Sequence, residues 1–120
     1  MRLTYWTLAL IPAMGAAAPV PQVTVANPVI NGVYATATIT TPTDDRLEGL
    51  TAPMGIASLH TVTHGGMKRS AIPFKANTPR RLSKYGYHIM LMHKLKTSTF
   101  PITLIFAKAG AVRVTFRVAG

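Results

Sequence analysis

The string Tyr87-His88-Ile89-Met90-Leu91-Met92 sets an imidazole and a thioether two residues apart. Side chains along a β-strand alternate faces, so His88 and Met90 share one face while Ile89 and Leu91 share the other. That pair is half of a soft-metal site, because a thioether sulfur suits Cu(I) and is a poor ligand for hard ions. The same six residues would also make an ordinary strand, with Met90 and Met92 packed in a core and His88 hydrogen-bonded. The rest of the chain has to decide between the two.

The other histidines are His60, His64 and His93. His60 and His64 have the i, i+4 spacing of a helical zinc pair, but Thr61-Val62-Thr63 and Gly65-Gly66 oppose a helix there. On a strand the same two positions share a face about 13 Å apart, too far for one ion. His60 and Met67 differ from that pair, because they fall on opposite arms of a hairpin that turns near Gly65-Gly66 and can approach across strands. A third strand can bring His88 and Met90 to the same point, giving two imidazoles and two thioethers. His64 and His93 are expected to be solvated, Met92 to pack in the core although it shares a face with Met90, and Met54 to be core or loop packing.

Composition narrows the chemistry. The 120 residues contain no cysteine, so thiolate zinc sites, thiol catalysis and dithiol redox work are excluded, blue-copper electron transfer with them. The acidic residues are Asp44, Asp45 and Glu48 alone, which argues against an EF-hand, a paired-carboxylate glycosidase or a di-metal hydrolase. Asp45-Arg46 reads as a local charge pair steadying a turn. No Ser/His/Asp arrangement and no phosphate loop is present, so a non-enzymatic protein is expected. The net charge of +10 is spread over many lysines and arginines. Such a surface fits an anionic membrane, an acidic protein or nucleic acid, and charge alone identifies none of them. Tyr85 and Tyr87 beside Lys84 imitate a base-stacking platform but read more simply as sheet residues.

Arg2, an apolar run from Leu3 to Met14 and the small residues Gly15-Ala16-Ala17-Ala18 follow the order of a secretory signal, too short to span a bilayer. Residues 1–18 are therefore expected to direct export, with cleavage after Gly15 or Ala17, and residues 19–120 to form one domain. Strands are expected near 22–26, 33–40, 46–50, 56–63, 67–72, within 74–82, and over 87–92, 101–107 and 111–118. Val33, Ala35, Ala37 and Ile39 alternate with Tyr34, Thr36, Thr38 and Thr40, and Val112, Val114, Phe116 and Val118 with Arg113, Thr115 and Arg117. Lys108-Ala109-Gly110 is read as a hairpin connection. With no amphipathic helix and no repeat, the fold class is all-β, an antiparallel sandwich or barrel.

Leu59-His60, Gly65-Gly66-Met67 and Tyr87-His88-Ile89-Met90-Leu91-Met92 together resemble the PCuAC family of periplasmic copper chaperones. Val33-Tyr34, Asp45-Arg46-Leu47 with Gly49, and Phe106-Ala107-Lys108-Ala109-Gly110 with Val112 extend the resemblance to roughly residues 22–118. It implies a cupredoxin-like antiparallel β-sandwich that binds Cu(I) through His60, Met67, His88 and Met90. It also implies a periplasmic protein that delivers copper to a cytochrome c oxidase copper centre or its assembly factors. For an exported chain no nucleic acid partner is expected, and the basic surface allows transient contact with an anionic membrane surface. The alternative is a basic exported binding module for anionic membrane or an acidic protein. The chain departs from the family in a shortened His60–Met67 hairpin, with His64 where a methionine usually precedes the two glycines. Met67 and His64 therefore compete for the role of fourth ligand. An insertion follows Met92 and sets His93 near the site's rim.

Overall fold

Alternation of β-branched and polar residues writes most of this chain as strands. The computed structural model describes residues 22–63 and 66–119. The expected signal segment, 1–18, and His64 lie outside the described residues. Ten strands are present among the described residues: β1 (Thr24–Asn31), β2 (Tyr34–Thr40), β3 (Asp45–Thr51), β4 (Ala57–Thr63), β5 (Gly66–Arg69), β6 (Ile72–Phe74), β7 (Arg80–Leu82), β8 (His88–Leu91), β9 (Thr99–Phe106) and β10 (Gly110–Ala119). A single 3-10 turn, Pro53–Gly55, is the only helical element among the described residues.

The strands form one sheet in the order β5-β4-β8-β2-β1-β10-β9-β3-β6, with β7 also on β2. All pairings are antiparallel except β10 with β1. The two edge strands, β5 and β6, are separated by Ser70 and Ala71 alone. Arg69 and Ile72 can then be at most about 11 Å apart, so the sheet must curl until its ends meet. The alternating apolar residues line the inside of that curl. Ala35, Ala37 and Ile39 of β2, Leu59 of β4, Ile89 and Leu91 of β8, Ile102 and Leu104 of β9, and Val114 and Phe116 of β10 are buried together. Each fully buried Ile, Leu or Phe contributes about 1.5–3 kcal/mol.

Two local features shape the ends. β1 runs past Pro28 instead of stopping near residue 26. Between the pairs Ala26–Thr38 and Val29–Thr36 it carries one extra residue, a bulge that absorbs Asn27 at φ 50° and the missing Pro28 amide. At the β9–β10 hairpin, Phe106 pairs with Gly110 across a three-residue loop, and Gly110 adopts the φ of 79° that this loop needs. The Asp45 carboxylate pins that loop by accepting the amides of Lys108 at 2.9 Å and Ala109 at 3.0 Å, along with that of Arg46 at 2.7 Å. The expected Asp45–Arg46 charge pair is corrected accordingly: Arg46 pairs with Glu48, while Asp45 serves backbone amides.

A histidine rung on the outer face of the sheet

β4 and β8 run antiparallel in a register that sets His60 opposite His88 and Ser58 opposite Met90. Directly opposed residues point to the same face, so these four side chains stand together on the face away from the core. On the other side of β8, Tyr34 of β2 pairs with Met90 and joins that face. The local sequence enforces this arrangement, since Leu59, Ile89 and Leu91 are needed inside and their neighbours are forced out.

His88 is fully buried, although it lies outside the core. The Tyr34 ring covers it edge-on, with centroids 5.4 Å apart, and the His60 ring meets it at 5.7 Å and 74°. The Lys84 ammonium in turn sits 5.5 Å above Tyr34. The carbonyl oxygen of Gly86 lies 2.9 Å from His88 Nδ1, and an oxygen of that kind can only accept. The proton is therefore on Nδ1, and Nε2 presents its lone pair. That Nε2 is buried with no hydrogen-bond partner among the described residues.

His60 mirrors this arrangement. Its Nε2 makes a long contact of 3.4 Å with Ser58 Oγ, while its Nδ1 is buried and without a partner. An unsatisfied buried polar atom costs about 1–3 kcal/mol, so two of them on one rung call for a shared explanation. A metal ion fits. At metal–nitrogen distances of about 2.0 Å, two imidazoles on one ion hold their centroids roughly 5–6 Å apart. Each ring's remaining nitrogen is oriented by a neighbouring oxygen, as metal-binding histidines require. Burial, followed by the charges of His88 and Arg69, holds His60 below the ordinary histidine pKa of 6.5. His60 is thus neutral, with its lone pair available, at a pH where an ordinary histidine would be partly protonated.

The thioethers are placed less evenly. Met90 is half-buried on the same face, one rung diagonal to His60. Met67 also shares the face, but it pairs with Val62 and is 48% exposed. It is diagonal to His60, a spacing of about 7–8 Å that a long side chain can close. Among the described residues no three His, Cys, Asp or Glu side chains gather as a metal site.

Other expectations are corrected. Met92 and Met54 are not core residues, being 78% and 80% exposed. Met92 follows the last residue of β8, and Met54 sits on the 3-10 turn at φ 60°, so neither has a sheet above it. His93 is exposed, as expected, with its Nδ1 2.9 Å from the Lys94 carbonyl. Sequence reasoning also missed Tyr34, Ser58 and Arg69. Arg69 stands directly opposite His60, because β5 closes on β4 with Thr63 opposite Gly66, a two-residue connection over 64–65. A turn centred on Gly65-Gly66 would have shifted that register.

No curated protein matches the sequence. Among solved structures the chain is similar to the apo PCuAC domain from PmoF1, at 19% identity and a TM-score of 0.66, over 86% of this chain and 98% of that one. It is also similar to the apo PCuAC domain of PmoF2, at 19% identity and a TM-score of 0.64, over 85% of this chain and 93% of that one. The copper-bound PCuAC domain from PmoF2 gives 18% identity and a TM-score of 0.61, over 86% of this chain and 97% of that one. At such identities the likeness establishes the fold, the expected cupredoxin-like β-sandwich. The profile of the LpqE-like family matches residues 13–118, nearly the whole sequence, and the chain belongs to that family.

Proposed function

We propose that this protein carries Cu(I) outside the cytoplasm and passes it to a copper-containing acceptor, a cytochrome c oxidase copper centre or one of its assembly factors. What carries this reading is the His60–His88 rung, where two buried ring nitrogens lack partners and face the same side of the sheet. Met90 and Met67 complete the set. Thioethers remain neutral and survive where thiols would be oxidised to disulfides, so they can hold a reduced soft ion in an oxidising compartment. The likeness to a copper-bound PCuAC domain supports the same reading. Residues 1–18 act as the export signal, and the periplasm is the place of work.

The protein acts as a carrier, not a catalyst. His88 is sealed under Tyr34, whereas Met67 is open to solvent. An acceptor's donors therefore reach the ion from the Met67 side and displace the thioethers first, while the two imidazoles hold the ion until exchange is complete. The basic surface favours acidic acceptors and transient contact with anionic membrane. The test is anaerobic competition for Cu(I) against a chromophoric chelator. One ion per protein, withdrawn from the chelator by the parent chain and not by His88→Ala, is expected. Failure of the parent chain to compete would overturn the proposal.

A further inference from the structure

The residue opposite His60 on β5 is a cation. Arg69 shares the face of His60, His88 and Met90, and directly opposed side chains start only about 5 Å apart. Among the described residues no ion pair neutralises it, the salt bridge there being Arg46 with Glu48. Glu48 does line the same open cleft as Arg69, yet its carboxylate is engaged by Arg46. The acidic residues of the whole sequence are Asp44, Asp45 and Glu48, so β4, β5 and β8 contribute no negative charge at all.

A guanidinium standing opposite His60 repels a metal ion held by that ring, in proportion to the ion's charge. Imidazoles and thioethers are neutral donors, so nothing in the set offsets the charge of the ion. We infer that Arg69 is a specificity-determining residue, which makes the His60/His88 site select monovalent over divalent cations by charge, beyond the preference that thioether softness already supplies. This rests on the copper-carrying reading above. Because the Coulomb energy is linear in the ion's charge, the penalty on a divalent ion is twice that on Cu(I). Removing Arg69 should then raise Cu(I) affinity by some factor and Zn(II) affinity by the square of that factor. For charges about 7 Å apart and partly screened, the factor is about 3 for Cu(I), hence about 10 for Zn(II).

The experiment measures Cu(I) and Zn(II) affinities, each by competition with a chelator, for the parent chain, Arg69→Gln and Arg69→Lys. Perchlorate salts are used because chloride binds Cu(I). Arg69→Gln is expected to gain more for Zn(II) than for Cu(I), in the squared ratio, and Arg69→Lys to restore the parent selectivity. The parent chain supplies a second reading without mutation: raising ionic strength should narrow the gap between Cu(I) and Zn(II) as the guanidinium is screened. Equal changes for both ions, or none, together with a salt-independent gap, would refute the role of Arg69 while leaving copper carriage intact. A parent chain that binds no Cu(I) would defeat the copper reading itself, and this inference with it.

Discussion

His60 and His88 sit on one rung of adjacent strands with ring centroids 5.7 Å apart, each offering a buried nitrogen that has no partner among the described residues. If one ion bridges them, losing either ring removes half of the strong donors. His60→Ala and His88→Ala should each weaken Cu(I) binding by about 100-fold or more, since even losing a group that only hydrogen-bonds to a ligand costs about 10–100-fold. The double variant should be far less than additive, because the two residues act on one ion. Chelator competition should show His93→Ala and Met54→Ala within about twofold of the parent. Large losses in those two would move the site to the exposed rim.

The depressed pKa of His60 sets the pH response. Its causes are burial first, then the neighbouring His88 and Arg69 charges. In the metal-free protein the unfolded chain binds a proton on this residue that the folded chain resists. Stability should therefore fall as pH drops below about 6.5, until the folded-state value is reached. For Cu(I), proton competition should begin below about pH 6, with a limiting slope of about two protons per ion from two histidines. A slope of about three in the affinity–pH profile would point to a third imidazole.

That slope also decides between Met67 and His64. Met67 is on the right face and diagonal to His60, yet half exposed. Met67→Ala should lower Cu(I) affinity, by about tenfold, and leave the proton slope unchanged, because a thioether does not titrate. His64→Ala should change neither quantity. The reverse pattern, in parallel titrations of the two variants, would assign the fourth position to His64.

Much of this was legible in the sequence, for reasons visible in particular residues. The period-two pattern at Tyr34–Thr40 and Gly110–Ala119 fixed which side chains face in, and the interruption of His88 and Met90 by Ile89 and Leu91 fixed which face out. Cross-strand register was harder to read, because it depends on where a turn closes. With Thr63 opposite Gly66, and not a turn centred on Gly65-Gly66, Met67 falls opposite Val62 and Arg69 opposite His60. β1 continues beyond residue 26 although Pro28 cannot donate to a ladder, because a bulge with Asn27 in a left-handed conformation resolves that locally. The exposure of Met54 and Met92 carried no sequence signal, since methionine is equally at home in a core.

Asp45 provides a test of the scaffold independent of the metal. Burial alone would raise its pKa, but amide donors from Lys108, Arg46 and Ala109 and the charge of Lys108 outweigh that and hold it below 3.8. The stability that Asp45 contributes is present above about pH 4 and is lost as pH falls through its lowered folded-state value. Asp45→Asn should lower the stability of the metal-free protein by about 1–2 kcal/mol at neutral pH. It should also flatten the acid limb of the denaturation curve. An unchanged urea midpoint at pH 7 would show that the β9–β10 hairpin closes without this carboxylate.

X-ray absorption on the anaerobically Cu(I)-loaded protein tests the copper site most directly. A single ion is expected, with two imidazole nitrogens at about 2.0 Å and thioether sulfur in the same shell. His88→Ala should lose one of the nitrogens, and Met90→Ala part of the sulfur. An ion surrounded by sulfur alone, or one whose spectrum is indifferent to His60 and His88, would contradict the assignment of this rung as the copper site.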